Sequence, residues 1–359
     1  LLEEGITLSK YWSKLTKGLV PYVPGEQPRD KKYIKLNTNE SPYPPSPKVL
    51  EAVRNAANED LRLYPDPECD ALREAVAEFY NLSKDEVFVG NGSDEVLAFA
   101  FQAFYDPERT ILFPDITYSF YPVYCNLYNI NYETVSLDED FNVPVEKFMR
   151  ENGGVVISNP KAPTAMYMSL DEIKSIVEFN TNSVVIIDEA YIDFGGESAV
   201  SLIKNFPNLL IIQTLSKSRS LAGLRVGFAL GNKELIEGLN RVKNSFNSYT
   251  LDRLAIAGAV EAFRDREYFH ETRNKIIATR EWVSISLKEL GFEVLKSEAN
   301  FVFISHPKVN AEVIFKKLRE NGILVRYFKK PRIDNYLRVS IGTDKEMEAF
   351  IEALNIILA

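Results

Sequence analysis

Short apolar runs alternate with amphipathic stretches over the first two thirds of the chain. The runs EVFVG (86–90), TILFP (110–114), YETVSL (132–137), GVVISN (154–159), SVVIIDEA (183–190) and NLLIIQTL (208–215) have strand length and mostly strand-forming residues. Helical patterns such as SLDEIKSIVEFN lie between them, and EVLAFAFQAFY (95–105) is apolar on nearly every side, which predicts a buried helix. Apolar strands separated by helices predict an α/β fold whose mostly parallel sheet is covered on both faces. RLYPDPECDALREAVAEFY reads as a loop entering an amphipathic helix, with Asp70 as its cap.

The texture changes near residue 249. Long helical patterns then precede short strands at GFEVL, NFVFIS, GILVRYF and YLRVSIG, the mark of a smaller α+β domain. The first thirty residues mix polar, aromatic and turn residues, and NESPYPPSPK (39–48) is proline-rich and extended. The expected division is an arm over 1–30, a large domain over 31–248 and a small domain over 249–359. A length of 359 residues is too great for one small core.

Composition removes several function classes. Hydrophobic residues make up 45% and charged residues 26%, within the globular range. With 42 Lys and Arg against 51 Asp and Glu, the net charge of −9 carries no nucleic-acid footprint. Cys69 and Cys125 cannot build a disulfide framework or a cysteine-rich zinc site, and no metal site is expected. The two histidines, His270 and His306, lie in no nucleophile or metal motif, so another group must move protons if the chain is an enzyme. Apolar runs such as Val184-Val185-Ile186-Ile187 are too short for a membrane span. The acidic start LLEEGITLSKYW lacks the layout of a signal peptide, and a cytoplasmic location is expected.

Ligands of open α/β sheets collect at the carboxyl ends of the strands. EVFVG runs into NGSDE and a helix, which puts free backbone N–H groups at a helix start, an anion site. Ordinary capping by Ser93 or Asp94 is the competing reading. A dinucleotide fingerprint is excluded, because Gly90 and Gly92 are followed by Glu95 where a third glycine is needed. Asp188 closes an apolar strand and needs a partner for its charge: a cationic ring nitrogen, an arginine or a magnesium ion would each serve. NLLIIQTL delivers Ser216, Lys217 and Ser218, and Arg225 follows eight positions after the lysine. Near a second cation or away from water, a lysine loses its proton more readily and becomes nucleophilic.

TLSKSRSLAGLRVGF resembles the lysine segment of fold-type I aminotransferases, in a form similar to the histidinol-phosphate branch. DEAY (188–191), NPKAPTA (159–165), VPYVPGEQP, KLNTNESPYPPSP, RLYPDP and YLRVSIGT resemble further motifs of that group, in the same order along nearly the whole chain. The resemblance implies a PLP-transferase-like large domain with pyridoxal 5'-phosphate as cofactor and Lys217 as its Schiff-base lysine. Asp188 would pair with the ring nitrogen, Asn159 and Tyr191 with the ring oxygen, and Tyr118 would stack on the ring. Ser93, Asp94, Ser216 and Arg225 would meet the phosphate. The resemblance also implies a homodimer, in which the arm packs with the small domain and the partner subunit, and Tyr64 reaches the partner's cofactor.

For substrate, the resemblance makes Arg338 the clamp for a carboxylate or phosphate, with Arg326, Tyr22 and Asn300 as helpers. Tyr22 could equally be packing, Asn300 a turn residue and Arg326 half of a surface ion pair. The implied reaction is amino transfer between L-histidinol phosphate and 2-oxoglutarate in histidine biosynthesis. Rivals are a decarboxylase of a phosphorylated amino acid such as threonine phosphate, an aromatic aminotransferase, and a non-catalytic phosphate- or nucleotide-binding module. Two positions depart from the family pattern: Lys161 stands where asparagine is common, and Ala165 where glycine is usual. A β-carbon at 165 disfavours a left-handed turn there.

Overall fold

The computed structural model describes residues 9–28 and 30–359. The acidic start at residues 1–8 and Arg29 of the expected arm lie outside the described residues. The described chain opens with a short helix α1 (Lys14–Gly18), strand β1 (Ile34–Lys35), and helices α2 (Pro47–Ala56) and α3 (Asp70–Tyr80). There follow β2 (Val87–Asn91), α4 (Gly92–Phe104), β3 (Ile111–Pro114), α5 (Tyr121–Tyr128) and β4 (Tyr132–Val135). Next come β5 (Gly154–Ser158), α6 (Leu170–Phe179), β6 (Val185–Asp188), β7 (Leu209–Thr214) and β8 (Val226–Gly231). The remainder is α7 (Lys233–Phe246), α8 (Arg253–Arg264), α9 (Arg266–Glu289), β9 (Glu293–Val294), β10 (Phe301–Ser305), α10 (Ala311–Glu320), β11 (Ile323–Leu324), β12 (Arg326–Tyr327), β13 (Leu337–Ser340) and α11 (Asp344–Leu358).

Seven strands form one sheet in the order β2-β8-β7-β6-β5-β3-β4. All are mutually parallel except β8, which runs antiparallel to both β2 and β7. Every residue of β5, β6 and β7 is buried, which explains their continuous β-branched runs: both faces are covered, so no polar alternation is needed. Strand β8 was not foreseen, since LAGLRVGF drew notice only for Arg225. Its direction matters. An antiparallel strand begins where its parallel neighbours end, so Arg225 arrives at the edge where β7 delivers Lys217. The register places Thr214 opposite Gly227 and Asn91 opposite Val226.

Helix α4 is buried along Val96, Leu97, Phe99, Ala100 and Phe101, as its all-apolar sequence predicts. Helix α6 is fixed by a capping box in which Ser169 and Glu172 satisfy each other's end of the first turn. Asp70 is not the cap of α3 but its first residue. The side chain of Asp66 accepts the Asp70 N–H at 2.8 Å and does the capping from outside the helix.

A four-stranded antiparallel sheet, β12-β13-β10-β9, packs with α9, α10 and α11 around Val283, Val302, Val339 and Phe350 as the second core. Strand β1 pairs in parallel with β11, so residues 34–36 join this second unit although they precede the large sheet in sequence. At the other boundary, α8 packs on α2 and α3, and its Ala255, Ala259 and Phe263 lie in the large core. The change of texture near 249 therefore precedes the change of core, which falls within α9. No helix among the described residues is long and apolar enough to cross a membrane.

Candidate active site

A cleft of about 400 Å³ lies between the carboxyl edge of the large sheet, the small sheet and the arm. Each strand brings a group to it. From β2 comes the start of α4 with Ser93 and Asp94, from the end of β3 come Thr117 and Tyr118, and from β6 comes Asp188. Thr214, Ser216 and Lys217 come from β7, and Arg225 from the start of β8. The small sheet contributes Arg326, Phe328 and Arg338, and the arm contributes Tyr22, Pro24, Gly25 and Gln27.

The start of α4 is built for an anion. Its cap residue, Asn91, makes no side-chain hydrogen bond to the helix, so capping by Ser93 or Asp94 is not what the structure uses. The first N–H groups have no side-chain cap, and Ser93 and Asp94 line the cleft. Two glycines permit the approach of backbone to backbone. A β-carbon on Gly227 would stand 2.3 Å from the Ser93 nitrogen, and one on Gly92, whose φ is +79°, 2.4 Å from Arg225 Nη2. Arg225 Nη2 lies 3.4 Å from an Asp94 oxygen, and Tyr118 Oη donates to the other Asp94 oxygen at 2.8 Å. Ser216 Oγ accepts from the Thr214 hydroxyl at 3.0 Å and completes a ring of donors.

Asp188 is 5% exposed and closes the wall opposite. Tyr121 Oη donates to one of its oxygens at 2.8 Å, and the Ala190 N–H to the other at 3.3 Å. Burial nevertheless pushes its pKa up to about 6, against the effect of those two donors. A carboxylate so placed is short of a cation. Lys217 Nζ donates to the Thr38 carbonyl at 3.2 Å and stands 5.7 Å from the centre of the Tyr191 ring. Tyr191 Oη accepts from Asn39 Nδ2 at 3.1 Å. Pyridoxal phosphate, the cofactor implied by the sequence resemblance, fits this set: a free helix start with Ser216 and Arg225 suits its phosphate, a cation-seeking carboxylate its ring nitrogen, and a lysine amine its carbonyl.

Two expected site residues stand elsewhere. Asn159 is fully buried and spends its side chain on the backbone of Met168, donating at 3.0 Å and accepting at 2.7 Å. It is not on the cleft wall, where Ser158, Ala162 and Pro163 stand instead. Asn300 is also fully buried and off the wall; its Nδ2 donates to the Asn39 carbonyl at 3.0 Å, holding the loop that carries Asn39. Tyr64 lies outside the cleft, 77% exposed, with its ring stacked 4.6 Å from that of Tyr249. Ala165 does adopt the left-handed turn, at φ 65°, and its methyl is buried against Ala299 and Phe301, which offsets the backbone strain. Lys161 is buried off the cleft, and the loss of hydration lowers its pKa to about 8.

Sequence reading missed Tyr121, Thr38 and Asn39. Tyr121 sits among three tyrosines in TYSFYPVY with nothing to mark which one turns to Asp188. Thr38 acts through its carbonyl, which every residue possesses. Arg338 was expected and lines the cleft: Nη2 donates to the Asn37 carbonyl at 2.9 Å, while its buried Nε has no partner.

The sequence matches the family profile of aminotransferase class I and II over residues 31–354. It is 65% identical over 347 residues to a histidinol-phosphate aminotransferase of Clostridium acetobutylicum, covering 97% of this chain and 99% of that one. A histidinol-phosphate aminotransferase of Clostridium botulinum is 63% identical over 351 residues, covering 98% and 99%. Among solved structures, the histidinol-phosphate aminotransferase of Sinorhizobium meliloti in complex with pyridoxal-5'-phosphate superposes with a TM-score of 0.88 at 24% identity, covering 98% of each chain, a likeness of fold. A putative histidinol-phosphate aminotransferase of Erwinia carotovora gives 0.83 at 24%, covering 90% of this chain and 95% of that one. With its lysine, its cation-seeking aspartate and its anion cradle on one cleft, the chain belongs to the class I and II aminotransferases, in the histidinol-phosphate aminotransferase family.

Proposed function

We propose that the chain transfers an amino group between L-histidinol phosphate and 2-oxoglutarate, a step of histidine biosynthesis, with pyridoxal 5'-phosphate as its cofactor. The observation that carries the reading is one cleft holding Lys217, Asp188, an open helix start and two arginines from the other sheet. The backbone N–H groups of Ser93 and Asp94, with Ser216 and Arg225, would hold the cofactor's phosphate. Asp188, braced by Tyr121, keeps a proton on the ring nitrogen. Tyr118 would cover a ring face, and Tyr191 would pair with the ring oxygen. When bound, the cofactor supplies an electron sink for the bond broken at the substrate's α-carbon. Lys217 Nζ carries the proton from that carbon, which is why a chain with two histidines can do acid–base chemistry. The Thr38 carbonyl gives the free amine a fixed resting place.

Arg338 and Arg326 bind the anionic end of either substrate, since a guanidinium serves carboxylate and phosphate alike. With 2-oxoglutarate as acceptor, histidinol phosphate is expected to give a keto product and no carbon dioxide, and to exceed phenylalanine and threonine phosphate in kcat/KM. Arg338→Lys is expected to lower kcat/KM for both natural substrates by roughly 10- to 100-fold, the value of a charge-assisted two-pronged contact. Release of carbon dioxide from threonine phosphate, or unchanged kinetics in the lysine variant, would overturn substrate and clamp respectively.

The active unit is a homodimer in the cytoplasm, with Tyr64 serving the partner's cofactor phosphate. The exposure of Tyr64 and Tyr249, whose rings stack, supports this, as does Arg253, which donates to the carbonyls of Leu63 at 3.2 Å and Tyr64 at 2.9 Å. Tyr64→Ala and Lys217→Ala proteins, each impaired alone, are expected on mixing to recover up to about a quarter of wild-type activity, because about half the dimers are hybrids and one of the two sites in each is intact. No recovery after verified subunit exchange would place Tyr64 outside the site.

A further inference from the structure

Arg219 follows Lys217 by two positions, yet it points away from the cleft and into the large core, where it is 8% exposed. Three phenylalanine rings enclose its guanidinium: Phe79 at 4.7 Å, Phe263 at 4.2 Å and Phe269 at 4.1 Å to the ring centres. Nη1 donates to the Ala262 carbonyl at 2.6 Å, at the end of α8. Nη2 is buried without a protein partner. The residue borders a void of about 10 Å³, shared with Ser46, Asp265 and Thr272, room for about one water. Loss of hydration lowers the arginine's pKa, and Asp193 acts against that loss. A buried cation beside the reactive lysine is an expensive way to fill space, and a leucine would fill it without the charge.

The neighbours of Lys217 are tied in the same way. Ser218 Oγ donates to Asp193 Oδ2, and Ser220 Oγ donates to Ser41 Oγ at 2.9 Å. Asp193 lies five positions after Asp188, on the segment that also carries Tyr191. The loop from β7 is therefore fastened on three sides: to the 188–193 segment, to α8 and α9, and to the 38–41 loop whose Thr38 carbonyl faces the amine. Of residues 217–220, Lys217 alone lines the cleft. Arginine suits the core side of this fastening because its flat cation can stack on rings while its N–H edge holds a carbonyl.

We infer that Arg219, with Ser218 and Asp193, is a positioning latch that fixes the Lys217 amine relative to Asp188. None of the three touches substrate or cofactor; they act through the loop. The inference rests on Lys217 being the cofactor's lysine, and its test separates the two. Cofactor-free protein is mixed with saturating pyridoxal phosphate, and visible absorbance follows the carbonyl and the Lys217 amine joining with loss of water. Cofactor affinity, circular dichroism, kcat and KM are measured on the same preparations.

In Arg219→Met the rate of covalent capture and kcat are both expected to fall about tenfold. Cofactor affinity and both KM values should stay within about twofold, because the phosphate cradle and Arg338 are untouched. Arg219→Lys should recover only part of the rate, since it keeps charge without the flat fork. Ser218→Ala cuts a second tie without disturbing the buried cation and should slow capture in smaller measure. It also carries the test should the methionine variant fail to fold. Wild-type capture rates in folded Arg219→Met, or in Ser218→Ala where that variant alone folds, would overturn the latch. Absence of capture by the wild-type protein would instead remove the role of Lys217.

Discussion

Lys217→Ala is expected to lower kcat by about 10⁴-fold or more, the upper end of what a positioned acid–base group contributes. Cofactor should still bind, because the open start of α4, Ser216 and Arg225 are unchanged and hold the phosphate without the lysine. Single-turnover conversion of histidinol phosphate measures the first effect. Borohydride treatment followed by peptide mapping measures the second: the wild-type protein should carry reduced cofactor on the peptide containing residue 217, and the variant none. Lys217→Arg is expected to be as inactive, since a guanidinium keeps its proton and cannot serve as a base. Label on another lysine, or turnover near wild type, would end the assignment.

The large sheet was legible because β5, β6 and β7 are buried on both faces, so each wrote an unbroken apolar run that ended in a polar residue. Those endings drew attention to Asp188 and Lys217, which both line the cleft. Strand β8 was illegible although it too is buried throughout. Its VGFALG sequence is interrupted by Gly227, and that glycine is required by the close passage of the α4 start rather than by strand formation. The β1–β11 pair was equally hidden, as two residues at 34–35 meet partners at 323–324 and no local pattern announces so distant a pairing. The turn of texture near 249 misled because α8 resembles the helices after it in composition while packing with those before it.

At the site, residues that act by charge were readable and residues that act by shape or backbone were not. Lys217 and Arg225 drew notice by their placement beside strand ends, whereas Arg338 was named only through the family resemblance. Asn159 shows the limit. An amide at the head of NPKAPTA has two equally good uses, a ring oxygen or a neighbouring backbone, and the Met168 backbone takes both of its atoms. Asn300 differs: its Nδ2 goes to the Asn39 carbonyl, while its buried Oδ1 has no partner. The contacts of Thr38, Asn39 and Tyr121 arise only once distant segments have been brought together.

Asp188→Asn is expected to lower kcat by roughly 10²- to 10³-fold, the effect of removing one preorganised charged contact from a dry site, while making the cofactor-free protein more stable. The two effects have one cause. Burial raises the folded carboxyl from 3.8 to about 6, so between those values the folded state holds more protons than the unfolded state. Stability then falls as pH rises through that window, and above it the buried charge costs about 2–3 kcal/mol. Asparagine carries no such charge and can still pair with Tyr121. Urea unfolding of the cofactor-free proteins should therefore favour the variant by up to about 2–3 kcal/mol at pH 8 and leave the two alike below about pH 4. Loading with pyridoxal phosphate should reverse the order, because a cationic ring nitrogen gives the aspartate the partner it lacks. A stability difference that does not change with pH would mean that Asp188 is not the buried ionised group, and its pairing with the cofactor would lose its physical basis.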